Sequence, residues 1–193
     1  MIVWLASYPK SGNTFVRALL SSFFFTDTGS FDFDLIKSIP QFPKKIFFDK
    51  IGVDVNNRSL VIKNYIEAQK EINKNKKKKF LKTHGSFCKL DDKYEFTDLH
   101  NSLGVIYIVR DPRNVVTSLA HHFDVKIEDA YEKLKNNSVF GDIKNVPPSY
   151  VGSWSFNYIS WKEFKKFDKY LIVKYEDLIS DTKNTLIKMI KFV

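Results

Sequence analysis

The chain has 193 residues, with 31 lysines and arginines against 22 acidic residues for a net charge of +9, and it is 44% hydrophobic and 16% aromatic. That composition excludes a disordered segment, and the length suits one domain with a sizeable core. Lysine supplies 27 of the basic residues and arginine only four (Arg17, Arg58, Arg110, Arg113); this argues against a nucleic-acid reader, because bidentate base and phosphate contacts favour arginine.

Residues 2–6 (IVWLA) form a short apolar run of the length and type of one buried strand. Ser7-Tyr8-Pro9 breaks it, and Gly12 frees the backbone to turn tightly. Phe15, Ala18, Leu19 and Ser22/Phe23 then recur at helical spacing, so a helix begins near residues 12–13. A strand, a tight loop and a helix in succession aim main-chain N–H groups at an anion. Lys10 adds a positive charge, and Ser11, Asn13 and Thr14 add side-chain donors. The segment predicts a phosphate- or sulfate-binding turn. It is not the nucleotide loop GxxxxGK[ST], since the lysine precedes Gly12 and Asn13-Thr14 follow it.

Residues 25–60 scatter Phe31, Phe33, Phe42, Phe47 and Phe48 among prolines, lysines and turn signals at Gly29 and Gly52. Two readings fit: short helices packed over a sheet edge, or an aromatic wall for a substrate. Residues 60–73 predict an amphipathic helix with Ile62, Ile66 and Gln69/Ile72 on one face. Five lysines between Lys74 and Lys79 read as a solvated turn, or as a patch for an anionic polymer. A second strand follows at 80–83 and ends at His84-Gly85; residues 86–103 are polar and loop-like.

Residues 104–109 (GVIYIV) are the clearest strand, ending at Arg110-Asp111-Pro112-Arg113. The run 114–123 is helical in period, with Asp111 as N-cap and Pro112 at the first helical position. A short helix is expected over 126–136 and a loop over 141–151 with Pro147-Pro148. Trp154, Tyr158, Trp161 and Phe164/Phe167 give 152–167 an amphipathic helical pattern. A fourth strand at 170–174 leads to Tyr175-Glu176-Asp177-Leu178, and a final helix runs from about 181. Alternating strands and helices imply an α/β fold with a mainly parallel central sheet between helical layers. In such sheets ligands sit at the carboxyl ends of the strands, where residues 10–15, His84, 110–113 and Tyr175 then converge. Cys88 is the only cysteine, so no intrachain disulfide is expected and a reducing compartment is. No run reaches the roughly 18 apolar residues of a membrane helix, and the N-terminus lacks a basic signal-peptide region. A cytoplasmic protein is expected.

The stretch SYPKSGNTF (7–15) resembles the phosphosulfate-binding loop, usually YPKSGTTW, of sulfotransferases that use 3′-phosphoadenosine 5′-phosphosulfate (PAPS). Asn13 replaces a threonine but still donates, and Phe15 replaces a tryptophan but still offers adenine a ring face. VRDPRNVVTS (109–118) resembles the family's 3′-phosphate-binding segment, which implies that Arg110 and Ser118 grip that phosphate. LKTH (81–84) resembles the segment bearing the catalytic histidine, here His84; YEDL (175–178) puts Tyr175 where an adenine-contacting tyrosine occurs. GSWSFNYISW (152–161) also matches, with Asn157 where many relatives carry histidine and no function attached to it. The resemblance covers most of residues 1–178 and implies a three-layer sandwich like that of P-loop nucleoside triphosphate hydrolases. It implies a single sulfotransferase-like domain over 1–193, short at its C-terminus. Relatives continue into an RKGxxGDWK-like segment that closes over the 3′-phosphate, whereas this sequence stops at Phe192-Val193.

The implied reaction moves a sulfuryl group from PAPS to an acceptor hydroxyl or amine, leaving adenosine 3′,5′-bisphosphate (PAP). Lys10 and His84 are the implied catalytic residues; Lys10, Ser11, Gly12, Asn13, Thr14, Phe15, Arg110, Ser118 and Tyr175 are the implied cofactor contacts. No metal is expected, because no His/Cys/carboxylate cluster has ligand spacing. Arg113 reads as peripheral, His100, His121 and His122 as structural or merely exposed histidines, and Cys88 as packing. The acceptor is a small molecule, a lipid or a carbohydrate; neither it nor the oligomeric state is legible, and no specific nucleic acid is expected. Three alternatives stay open: a PAPS/PAP-binding module with impaired turnover, an ATP-dependent small-molecule kinase, and a polyanion-binding protein.

Overall fold

The computed structural model describes residues 1–136, 138–140, 147 and 149–193. Strand β1 (Ile2–Ser7) is buried along its whole length. Its side chains alternate: Ile2, Trp4 and Ala6 face one layer, Val3 and Leu5 the other. A strand apolar on both faces has to be covered on both, and this dictates the three layers.

From β1 the chain passes through helix α1 (Asn13–Phe25), a 3₁₀ turn (Phe33–Ser38), α2 (Lys45–Asp49), α3 (Arg58–Lys63) and α4 (Tyr65–Asn73) to β2 (Lys79–Thr83). A small hairpin, β3 (Lys89–Leu90) and β4 (Tyr94–Glu95), precedes β5 (Ser102–Val109), α5 (Pro112–Phe123) and α6 (Ile127–Lys135). Strand β6 (Ser138–Phe140) pairs antiparallel with β7 (Ser149–Gly152). There follow α7 (Trp154–Lys162), a second 3₁₀ turn (Glu163–Phe167), β8 (Tyr170–Lys174), α8 (Tyr175–Ser180) and α9 (Thr182–Phe192).

The main sheet has the order β2-β1-β5-β8, and every neighbouring pair is parallel. These are the four strands expected from the sequence, with β5 starting two residues earlier than the β-branched run suggests. The chain steps to one side of β1 to lay down β2, then crosses to the other side for β5. The loops leaving β1, β2 and β5 therefore open a crevice over the end of β1, the switch point at which such sheets bind ligands.

One layer is aromatic. The Phe42 ring lies with its centroid 5.7–5.9 Å from those of Trp4, Phe47, Phe48, Tyr65 and Phe96. Trp161 and Phe164 close this layer from α7 and the turn after it. The opposite layer packs Val16 and Leu20 of α1, Leu178 of α8 and Met189 of α9 on Val3, Leu5, Ile106 and Ile108. Among the described residues no helix is long and apolar enough to cross a membrane.

Several local expectations are corrected. The helix expected over 60–73 breaks at Asn64, whose side-chain amide donates to the Leu60 carbonyl at 2.8 Å, a local bond that competes with helix continuation. The buried apolar positions are Val61, Tyr65, Ala68 and Ile72 rather than a face led by Ile62 and Ile66. Residues 86–103 hold the β3–β4 hairpin and the core residue Phe96, not a bare loop. The pattern over 152–167 is split between α7 and a 3₁₀ turn, and Phe167 is exposed. Residues 25–60 are short helices and turns, as the first of the two readings has it. Of the loop expected over 141–151, residues 141–146 and 148 lie outside the described residues, while 149–152 is a strand.

Phe42→Ala removes the ring shared by five aromatic neighbours and should lower the unfolding free energy by roughly 3–5 kcal/mol. Urea denaturation measures this as a lower midpoint at constant slope; a loss under about 1 kcal/mol would deny the aromatic layer its role.

Candidate functional site

The turn after β1 has two residues with left-handed backbone, Lys10 at φ 65° and Gly12 at φ 96°. Glycine adopts this conformation freely; lysine does so at a cost of about 1 kcal/mol. At Gly12 space also forbids a side chain, because a Cβ would lie 2.3 Å from Cδ2 of Tyr175. Gly12 is the N-cap of α1 and offers no side-chain bond to the first helical N–H groups. Those groups and the helix dipole are left for an anion.

The donors of this loop divide in two. Asn13 turns inward: its Nδ2 donates to the Leu5 carbonyl at 2.9 Å and to Ser7 Oγ at 3.1 Å, pinning the loop to β1. The expectation that the Asn13 side chain reaches a ligand is thereby corrected, and its main-chain N–H at the helix start is what remains for that role. Ser11 Oγ is buried and has no partner among the described residues. Thr14 is exposed at the first turn of α1.

Arg110, at the end of β5, reaches this same loop. Its Nη1 donates to the Lys10 carbonyl at 3.1 Å, and its guanidinium carbon lies 4.4 Å from the centre of the Tyr175 ring. Its Nε is buried and unpartnered among the described residues. Asp111 caps α5 by accepting from the Arg113 N–H at 2.9 Å, and its own N–H donates to Glu176 Oε1 at 3.0 Å. Arg113 pairs with Asp111 and is otherwise exposed, which makes it peripheral. The bond with Arg113 holds the Asp111 carboxyl down at about 2.

His84 follows β2. Its Nδ1 lies 2.8 Å from the Ser7 carbonyl, so that nitrogen carries the proton and donates, which leaves Nε2 as the acceptor. Burial, and next the Lys82 charge, hold the imidazole well below its usual pKa. A neutral ring with a free Nε2 is a base in waiting. The loop carrying it is anchored from behind: Asn157 Nδ2 donates to the His84 carbonyl at 3.0 Å and to Val151 O at 2.9 Å, and accepts at Oδ1 from the Tyr107 hydroxyl at 2.9 Å. Trp161 Nε1 donates to the Gly85 carbonyl at 2.8 Å.

All four strand ends open into one cavity of about 1130 Å³, lined by Lys10, Gly12, Asn13, Thr14, Phe15, His84, Arg110, Ser118 and Tyr175. Of the residues singled out from the sequence, Ser11 alone is absent from this lining. His122 also lines it. Burial pushes the Cys88 thiol up to about 11, so it stays protonated and unreactive.

Sequence reasoning missed two cations. Lys82 lines the cavity, donates to Gln41 Oε1, and is lowered to about 7 by burial and then by Arg17. Arg17 is partly buried, donates from Nη2 to the Ile36 carbonyl at 2.8 Å, and is lowered to about 10 by burial. Among the described residues neither forms an ion pair with a carboxylate. The signal for Lys82 was present, since residues 82 and 84 share a face of an extended strand end. Asn157 had none for holding the His84 loop, because Tyr107 and His84 are 50 and 73 positions distant in sequence. Among the described residues no group of three metal-ligating side chains comes together.

A family model described as "Sulfotransferase domain" matches residues 2–193. Sulfotransferase 1E1 of Rattus norvegicus is 23% identical over 190 residues, covering 98% of this chain and 57% of its own length. Sulfotransferase 2A2 of the same species is 34% identical over 91 residues, which is 46% of this chain and 30% of its own. Among solved structures, mouse sulfotransferase SULT7A1 complexed with PAP superposes with a TM-score of 0.56 at 18% identity, over 99% of this chain and 57% of its own. Retinol dehydratase in complex with androsterone and inactive cofactor PAP gives 0.55 at 16% identity, over 99% and 59%. At these identities the likeness of the structures is one of fold. The chain spans less than two thirds of the length of these relatives.

Lys82 supplies a test of the site's electrostatics. Its folded pKa of about 7 lies below the ordinary 10.5, so between those values the unfolded chain holds a proton that the folded chain does not. Stability contributed by this group therefore rises with pH across the window. Lys82→Met should be more stable than the native chain near pH 6.5, with an advantage that shrinks toward pH 10; urea titrations at several pH values would show a constant difference if the lysine were solvated.

Proposed function

We propose that this chain, which belongs to the sulfotransferase domain family, transfers a sulfuryl group from PAPS to a hydroxyl or amine of a small-molecule acceptor. The observation that carries this is the bond from Arg110 Nη1 to the Lys10 carbonyl. It joins the cationic turn after β1 to the cationic turn after β5 in one cavity, as a nucleotide phosphorylated at both ends requires.

The donors present suit such a ligand. The N-terminus of α1 is open, and Ser11 Oγ and Arg110 Nε are buried without protein partners among the described residues. PAPS, when bound, supplies the activated sulfuryl group and its leaving phosphate. Lys10 would neutralise charge developing on the leaving phosphate, and the N–H groups at residues 11–14 would hold the anionic groups of the donor. Arg110 and Ser118 hold the 3′-phosphate. Phe15 offers the base a ring face; Tyr175 flanks it while bracing Gly12 and Arg110. His84 takes the acceptor's proton at Nε2, a contribution typically worth about 10²–10⁴-fold. Asn157 and Trp161 position that histidine. Residues 1–193 act as one sulfotransferase-like unit, and the single cysteine supports a reducing compartment such as the cytoplasm.

Calorimetry with PAP tests the site: tight binding is expected, weakened by Arg110→Ala, whereas the absence of any binding overturns the proposal. His84→Ala should abolish turnover while leaving PAP affinity nearly intact, and native rates from it would dismiss the histidine as base. Lys10→Met should slow a single turnover more than it weakens PAP binding; an unchanged rate would remove Lys10 from the chemical step.

A further inference from the structure

The end of the sheet opposite the cavity gathers lysines and exposed rings. Strands β1 and β2 are parallel, with Ile2 beside Lys79 and Val3 beside Phe80, so both begin at this end. Helix α1 starts at the cavity and runs back toward the same end. Its last turn arrives there: the Phe24 ring centroid lies 5.2 Å from that of Phe80, and the Phe23 ring meets Phe24 edge to face at 5.0 Å. Phe23 is 51% exposed and Phe24 40%. The turn into β2 carries Lys76, Lys77 and Lys78, all exposed, and then Lys79. Among the described residues none of these four lysines pairs with a carboxylate. Burial, and next the charge of Lys50, lower Lys79, and Lys77 adds to this; Glu71 opposes it but is itself paired with Lys74. At the other edge of the sheet, the 3₁₀ turn leading into β8 brings Lys165 and the half-exposed Phe167 to the same end.

Phenylalanines left in water are unused apolar surface, and a cluster of them marks an interaction site. Lysines crowded without counter-ions repel one another, which an anionic partner relieves. A surface that is anionic at its face and apolar just beneath meets both needs together. A nucleic acid fits less well. Bases stack on rings offered singly, and arginine is the residue suited to phosphate recognition. Here Phe23 and Phe24 stand edge to face, and the cations are lysines.

We propose that the amino end of the sheet docks this protein on an anionic membrane surface. Phe23 and Phe24 enter the interface, and Lys76, Lys77, Lys78 and Lys79 meet the lipid headgroups. Strand β2 sets this surface about 16 Å from His84, so a docked molecule keeps its cavity open to water. Membrane and nucleotide therefore bind independently. The proposal does not rest on the sulfuryl-transfer reading.

The test is co-sedimentation of the full chain with vesicles of phosphatidylcholine alone, and of phosphatidylcholine with one third phosphatidylserine, alongside calorimetry with PAP. The chain should bind the mixed vesicles, release them at high salt, and bind the neutral ones far more weakly. Lys76→Gln and Lys78→Gln should each weaken binding about fivefold. Phe23→Ala should weaken it roughly threefold to tenfold. Phe23→Trp should restore it, with the new indole emission shifting to the blue on mixed vesicles. PAP affinity should be the same in all four variants, whose substituted side chains are exposed in the native fold. Equal binding to both kinds of vesicle, no binding to either, or native binding by Phe23→Ala overturns the proposal. So does heparin held more tightly than the mixed vesicles by the native chain and by Phe23→Ala alike, which would assign the patch to a soluble polyanion. A loss of PAP affinity in the lysine variants would overturn it as well, by tying this surface to the cavity.

Discussion

The site depends on how Arg110 is held. Its guanidinium leaves the end of β5, lies over the Tyr175 ring at the end of β8, and donates to the carbonyl of Lys10 beyond the end of β1. Tyr175 in turn fills the space that a side chain on Gly12 would need. Three strand ends are thereby locked by one cation, one ring and one glycine. The planar fork of arginine permits this: it stacks and donates together, and a lysine would lose the stacked, directional geometry. The bracing leaves Nε unpartnered among the described residues, so Arg110 is both a structural clasp and an available donor.

Electrostatics complete the arrangement. Burial, and after it the charges of Lys82, Arg17 and Lys10, opposes protonation of His84. The cavity's cations thus help burial to keep its histidine neutral. Burial, and next the charge of Arg17, likewise lowers Lys82 to about 7.

The sheet was legible because three of its four strands are mainly apolar or β-branched runs, the fourth ends at the His84-Gly85 breaker, and a parallel order follows from intervening helices. Lys10, Gly12, His84, Arg110 and Tyr175 were legible as strand-end residues, and the cavity brings them together. What stayed hidden depends on long-range contact. Asn157 holds the His84 loop through partners contributed by β5 and the residues after β2, and nothing near it in sequence announces that. Lys82 shares a strand-end face with His84, which the sequence does show; what it does not show is the burial that lowers this lysine. The break at Asn64 and the β3–β4 hairpin are short-range events that a periodicity window averages away.

The backbone of Lys10 has its own implication. A side chain held in the left-handed region is a standing cost that glycine would not incur, so shape alone does not account for lysine there. Conformation and charge are separable at this one position: glycine would keep the bend and relieve the strain, while an uncharged long side chain would keep the strain and lose the field. The residue best for the durability of the fold and the residue that brings a charge to the cavity are different amino acids, and the chain carries the second.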